Sequence, residues 1–62
     1  MRLTQIKLRR LERGLLQIEL AQRAHINRGR LSEIENGHLQ PRPDELERIA
    51  QVLELGAPEV QP

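Results

Sequence analysis

Apolar residues recur at helical spacing in every segment that lies between the glycines and prolines of this chain. The segments are separated by Gly14, Gly37, the pair Pro41 and Pro43, and Gly56. No segment sustains the alternation of apolar and polar residues that a half-buried strand requires. The sequence therefore predicts an all-α fold made of short helices.

The chain has 62 residues and no cysteine, so we expect one domain (residues 1–62) without disulfides or thiolate metal sites. The histidines, His25 and His38, have a spacing that matches no common metal motif, and His38 is expected to be a surface residue. No metal, no cofactor and no catalytic constellation is predicted, and the protein is not expected to be an enzyme. No apolar run reaches the ~18 residues of a membrane span. We therefore expect a soluble, cytoplasmic (nucleoid-associated) protein without a membrane partner.

Charge is distributed unevenly along the chain. Residues 1–30 hold eight Lys and Arg against two Glu, a net charge of +6, and residues 31–62 hold two Arg against seven Asp and Glu, a net charge of −5. This asymmetry fits a basic face for a polyanion, and equally a solvated helical surface that was sorted by chance. The chain has no Phe, Tyr or Trp, which argues against single-strand nucleic-acid binding by base stacking.

Capping signals predict four helices, at about residues 4–13, 17–24, 28–35 and 43–55. Thr4 and Asn27 are the expected N-caps of the first and third, and Pro43 opens the fourth. Residues 57–62 leave room for one further turn at most. The core is expected to be apolar side chains of the last three helices: Leu20, Ala21, Ala24, Leu31, Ile34, Leu46, Ile49, Ala50 and Leu53. Glu45 and Glu47 are expected to form a solvated face.

The second and third helices are short and are joined by the three residues "HIN". Small side chains at Ala21 and Ala24 allow the third helix to approach the second closely. Such a pair has the shape of a helix-turn-helix unit, whose second helix enters the DNA major groove. An ordinary helical hairpin has the same spacing.

The stretch "RGLLQIELAQRAHINRGRLSEIENG", residues 13–37, resembles the phage repressor and Cro-type (XRE-like) helix-turn-helix family. The likeness rests on Gln17, on "LA" at 20–21, on the apolar positions 26, 31 and 34, and on the closing "EIENG". It covers roughly residues 3–57. The resemblance implies a compact, lambda-repressor-like domain of four to five helices, with the helix-turn-helix unit at about 17–36, that binds double-stranded DNA.

The resemblance also implies roles for single residues. Arg10 and Glu35 match a family pair that forms a partly buried salt bridge. Leu16 departs from the pattern because it gives the second helix no side-chain cap. His25 stands where the turn normally has glycine and must then take a positive φ.

At 100° per residue, Gly29, Glu33 and Asn36 of the third helix point away from the core, flanked by Arg28 and Ser32 among others. The expected base-reading residues are Arg28, Gly29, Ser32 and Glu33. The resemblance implies DNA-backbone contacts at Gln17, Asn36 and Arg42, and the expected set also includes Asn27 and Arg30.

Some of these assignments have alternatives. Arg28 suits guanine O6 and N7 or a phosphate, and Arg30 suits a phosphate or a pairing with Glu33. Glu33 suits cytosine N4 or an intrahelical ion pair, and Ser32 suits a base or the DNA backbone.

These features together predict a small transcriptional regulator, with repression as the expected mode. It is expected to act as a homodimer on a palindromic operator, joined through Leu39, Leu55 and Val60. The alternatives are an antitoxin or a transcription-factor adaptor on the same fold, whose main partner is another protein such as a toxin or the transcription machinery.

Overall fold

The computed structural model describes residues 5–55, which form four α-helices and no strand. The helices are α1 (Gln5–Glu12), α2 (Gln17–Arg23), α3 (Arg28–Glu35) and α4 (Pro43–Leu55). The predicted all-α fold is therefore confirmed. The expected N-cap Thr4 and the further turn expected within 57–62 lie outside the described residues.

Local capping chemistry determines where the helices begin and end. Gly14 has a φ of +70° just after α1, and Gly37 has a φ of +79° just after α3. Both are left-handed conformations in which glycine carries no steric cost. The side chain of Asn27 accepts a hydrogen bond from the Arg30 N–H at 3.2 Å, which caps α3 as expected. α1 and α2 each end one residue earlier than predicted, and Ala24 is the C-cap of α2.

The hydrophobic core lies where α2 and α1 pack against α3 and α4. Leu20, Leu31 and Ile49 are fully buried, one from each of the last three helices. Burying such a side chain stabilises the fold by roughly 1.5–3 kcal/mol. The core is completed by smaller or peripheral side chains: Ala21, Ala24, Ile26, Ile34 and Leu53.

The prediction of which face of α4 is buried is wrong by about one residue position. Leu46 is 47% exposed and Ala50 is also exposed, although both were expected in the core. Glu45, expected to be solvated, is only 5% exposed. The buried positions 45, 49 and 53 follow the four-residue spacing of one helix face, and Leu46 and Ala50 lie about 100° around the helix from it.

α4 is also fastened to the end of α2 by a side chain. Arg48 donates from Nε to the carbonyl oxygen of Ala24 at 2.8 Å and from Nη1 to Asp44 at 2.9 Å. The carbonyl of Ala24, at the C-terminal end of α2, has no hydrogen-bond partner within that helix, and Arg48 supplies the donor. None of the four described helices is both long and apolar enough to cross a membrane.

Candidate nucleic-acid interface

The turn between α2 and α3 depends on the conformation of His25. Its φ is +56°, so the expectation of a positive φ is confirmed. The turn is closed by the Ile26 N–H, which donates to the Ala21 carbonyl at 2.9 Å, and Ile26 then enters the core. A non-glycine residue in this region costs roughly 1–3 kcal/mol. The packing of Ile26 offsets that cost and fixes the angle between the two helices.

α3 presents one polar face outside the core. Arg28, Gly29, Glu33 and Asn36 are exposed, and Ser32 is half-buried. The opposite side of the same helix is buried. All four candidate base-reading residues therefore lie on the accessible part of one short helix.

Gly29 has a structural role in addition to the one expected from the sequence. A Cβ built at this position would lie 3.1 Å from Oδ1 of Asn27, the atom that caps α3. That distance is tighter than ordinary van der Waals contact, so a larger residue would require the Asn27 side chain to move by a few tenths of an ångström. The glycine in the first turn thus serves the helix cap as well as any close approach of DNA.

Glu35 is a buried carboxylate that gathers three parts of the chain. It is 1% exposed and accepts from Arg10 Nε at 2.8 Å and from Arg10 Nη2 at 3.1 Å. Gln17 Nε2 donates to the same carboxylate at 3.1 Å, and Arg10 Nη1 donates to the Leu15 carbonyl at 2.8 Å. The ion pair between α1 and α3 that the resemblance implied is present, with a bidentate geometry that is favourable for a buried pair.

Gln17 is therefore held by its amide nitrogen beside the C-terminal end of α3. The start of α2 has no side-chain cap from Leu16, as expected. Instead, Glu19 accepts a hydrogen bond from the Leu16 N–H at 2.8 Å, which is one half of a capping box. This bond compensates in part for the missing cap.

Arg30 pairs with Glu45 of α4, and not with Glu33. Arg30 Nε donates to Glu45 Oε2 at 2.6 Å, and Nη2 donates to Oε1 at 2.9 Å. The backbone N–H of Arg42 donates to Oε1 at 2.8 Å. The Arg30 and Arg42 hydrogen bonds lower the pKa of Glu45 to about 2, and the bond to Glu45 raises the pKa of Arg30.

Glu33 instead lies 3.3 Å from Nδ1 of His38, and both side chains are largely exposed. An intrahelical pairing for Glu33 is thus replaced by a contact with His38, which lies three residues beyond the end of α3. His38 is a surface residue, as expected.

The expected DNA-backbone residues other than Asn27, the N-cap of α3, fall into two groups near the buried carboxylates of Glu45 and Glu35. Arg30 and Arg42 are brought together by Glu45, and Gln17 is bound to Glu35, the residue before Asn36. Sequence reasoning missed Glu45. A signal was available, since Glu45 lies four residues before Ile49 and eight before Leu53, on the buried face of α4.

The short turn, the packing of α2 against α3 and the exposed face of α3 define a helix-turn-helix domain. A family model described as helix-turn-helix matches residues 6–60. The chain belongs to this family, the XRE-like helix-turn-helix domains, which are DNA-binding transcription regulators and not an enzyme family. No curated protein and no solved structure matches the chain significantly.

Proposed function

We propose that this protein binds double-stranded DNA in a sequence-specific manner and represses transcription from its site, with residues 1–62 acting as one domain without enzymatic activity. The observation that carries the proposal is the exposed polar face of α3, which a helix-turn-helix places in the major groove. The proposed place of action is the cytoplasm, on the nucleoid.

In this proposal the bases are read by the accessible side of α3. Arg28 forks onto guanine O6 and N7, and Glu33 accepts from cytosine N4. Ser32 reaches the same base edges, and Gly29 allows the helix backbone to come close. All of these residues except the half-buried Ser32 are exposed.

Phosphates on either side of the groove are held by the two groups described above. Arg30 and Arg42 serve one side, and Gln17 and Asn36 serve the other. Asn27 adds an amide at the start of α3, since its Oδ1 is used in the cap. Such contacts fix the register of the protein on the duplex and carry no sequence information.

A homodimer on a palindromic site is the proposed assembly. Leu39 is exposed beside a groove lined by Ile6 and Leu46, which offers apolar surface for a second copy. The other two apolar side chains expected in this interface, those of Leu55 and Val60, lie outside the part of the chain that the structure describes.

A second candidate is an antitoxin or adaptor function, in which another protein is the main partner. It is favoured by Leu8 and Leu11, which lie three residues apart on α1 and are both exposed. They face away from the core side on which Arg10 is buried.

The test is the salt dependence of duplex binding by the isolated chain, measured by fluorescence anisotropy. Each neutralised phosphate contributes about −0.9 to the slope of log K against log salt concentration. The five proposed backbone side chains include two cations, Arg30 and Arg42, so we expect a slope of about −2 or steeper. A chain that is folded by circular dichroism yet shows no salt-dependent binding would support the protein-partner function instead.

A further inference from the structure

Glu45 is a buried carboxylate that joins α3 to the first turn of α4. Its two oxygens accept three hydrogen bonds, two from the guanidinium of Arg30 and one from the Arg42 N–H. Glu45 Oε1 accepts from both Arg30 Nη2 and the Arg42 N–H, so the two donors share one acceptor atom. Both donors belong to residues that the proposed function assigns to the DNA backbone.

The neighbouring acid of the same turn behaves differently. The Asp44 side chain is 61% exposed and pairs with Arg48 four residues later in α4. That pair stays within one helix and is of the exposed kind that contributes little to stability. Glu45, in contrast, is 5% exposed and binds Arg30 of α3 as well as the N–H of Arg42, whose carbonyl accepts the first hydrogen bond of α4.

Arg30 remains able to bind a further acceptor. A guanidinium has five N–H donors, and Glu45 accepts two of them. The Arg30 side chain is 29% exposed, so part of the group faces solvent. The carboxylate therefore fixes the plane of the guanidinium without covering it.

We infer that Glu45 is a positioning residue for DNA-backbone binding, an inference that rests on the proposed function. It holds the guanidinium of Arg30 beside the backbone of Arg42, so that this cation meets a phosphate in a geometry that is formed before binding. Side chains ordered in advance lose less conformational entropy on association. The opposite role is a competitor, in which Glu45 occupies the donors of Arg30 that a phosphate would otherwise take.

The experiment compares Glu45→Gln with the matched control Asp44→Asn. Each change removes one negative charge from the first turn of α4, and that loss alone strengthens binding to a polyanion. We expect Glu45→Gln to weaken duplex binding about tenfold and to reduce the salt slope by about 1, because one phosphate contact is lost. Asp44→Asn should bind within about twofold of wild type with an unchanged slope.

Further readouts separate positioning from loss of fold. Binding is measured at a temperature at which circular dichroism shows each variant folded, and Glu45→Asp, which keeps the charge on a shorter side chain, serves if Glu45→Gln does not fold. In an Arg30→Gln background, Glu45→Gln should cause no further change in slope. Amide exchange at Arg42 should be slow in the wild type without DNA and faster in Glu45→Gln.

The outcomes distinguish the inference from the proposed function. Wild-type chain that does not bind duplex overturns the proposed function and the inference with it. Wild-type binding together with equal or tighter binding by Glu45→Gln, or rapid wild-type exchange at Arg42, overturns the inference alone.

Discussion

His25 is the residue at which the fold departs most from a low-energy local conformation. Its φ of +56° lies in the left-handed region, where the helix-turn-helix family normally has glycine. We predict that His25→Gly raises the free energy of unfolding by about 1 kcal/mol, because relief of strain exceeds the added entropy of the unfolded chain. Thermal unfolding followed by circular dichroism measures the change.

The matched control is Gly14→Ala, which introduces a side chain into the same backbone region. Nothing lies within 4 Å of a Cβ built at Gly14, so the cost of this change is backbone strain alone. It should lower the free energy of unfolding by about 1 kcal/mol. A destabilised His25→Gly would show that the histidine side chain contributes more than its backbone costs.

Single residues differ in how well the sequence predicts them. Gly14 and Gly37 take the left-handed conformation that local backbone chemistry favours for a glycine after a helix. The positive φ of His25 could be predicted only from the family resemblance. The cap role of Gly29 could not, because it depends on the distance between a hypothetical Cβ and the Asn27 side chain. Gly29 has two proposed roles, one in the Asn27 cap and one in the close approach of DNA. Only the folded geometry distinguishes the first from the second.

At the scale of elements, α1 and α3 are connected by the buried pair of Arg10 and Glu35. Removing one partner of such a pair strands the other charge, at a cost of about 3–5 kcal/mol. Stability of small domains is of a similar size. We therefore predict that Glu35→Ala lowers the melting temperature far more than Glu47→Ala, whose side chain is exposed on α4. Equal decreases in melting temperature for the two variants would mean that Arg10 and Glu35 are not coupled.

The contact between α3 and α4 has a pH dependence set by Glu45. Its pKa is about 2 in the folded chain against an ordinary value of 4.5, because Arg30 donates to the ionised form. A carboxyl group whose pKa is lower in the folded than in the unfolded chain stabilises the fold at pH values above its unfolded pKa. This stabilisation is lost as the pH falls through the folded pKa. We predict that the difference in melting temperature between wild type and Glu45→Gln is full at pH 7, shrinks below about pH 4.5 and vanishes near pH 2. A difference that stays constant over this range would exclude an ionised Glu45 in the pair.

Element boundaries could be predicted because caps act within a few residues of the chain. The facing of α4 was predicted wrongly because the apolar side chains at 46 and 50 and the charge of Glu45 all favour exposure of Glu45, and they outweighed the spacing of Glu45, Ile49 and Leu53. The choice is made by Arg30, 15 residues away in sequence, whose pairing allows a carboxylate to be buried. The Arg10–Glu35 pair, separated by 25 residues, came from the family resemblance and not from local chemistry.

At the scale of the whole molecule, the size of the reading surface argues for two copies. One short helix contacts few base pairs, and each mismatch costs roughly 1–3 kcal/mol. A dimer doubles the site by reading half-sites ~34 Å apart. The exposed apolar surface at Leu39 and Leu46 is small, so association without DNA should be weak.

Analytical ultracentrifugation with and without a palindromic duplex measures this assembly. We predict a monomer at micromolar concentration without DNA and two protein chains per duplex with it. One chain per full palindrome at saturating protein would exclude the dimer. It would also favour the antitoxin or adaptor function, in which another protein supplies the second contact.

The central claim is that the exposed face of α3 reads DNA sequence. Selection of bound duplexes from a random pool, carried out with wild type and with Arg28→Ala, tests it most directly. We predict that the wild type selects a palindromic consensus and that Arg28→Ala loses preference at one base pair in each half-site, with a loss of roughly 1–3 kcal/mol on the wild-type site. An unchanged consensus from Arg28→Ala, or no consensus from the wild type, would contradict the account.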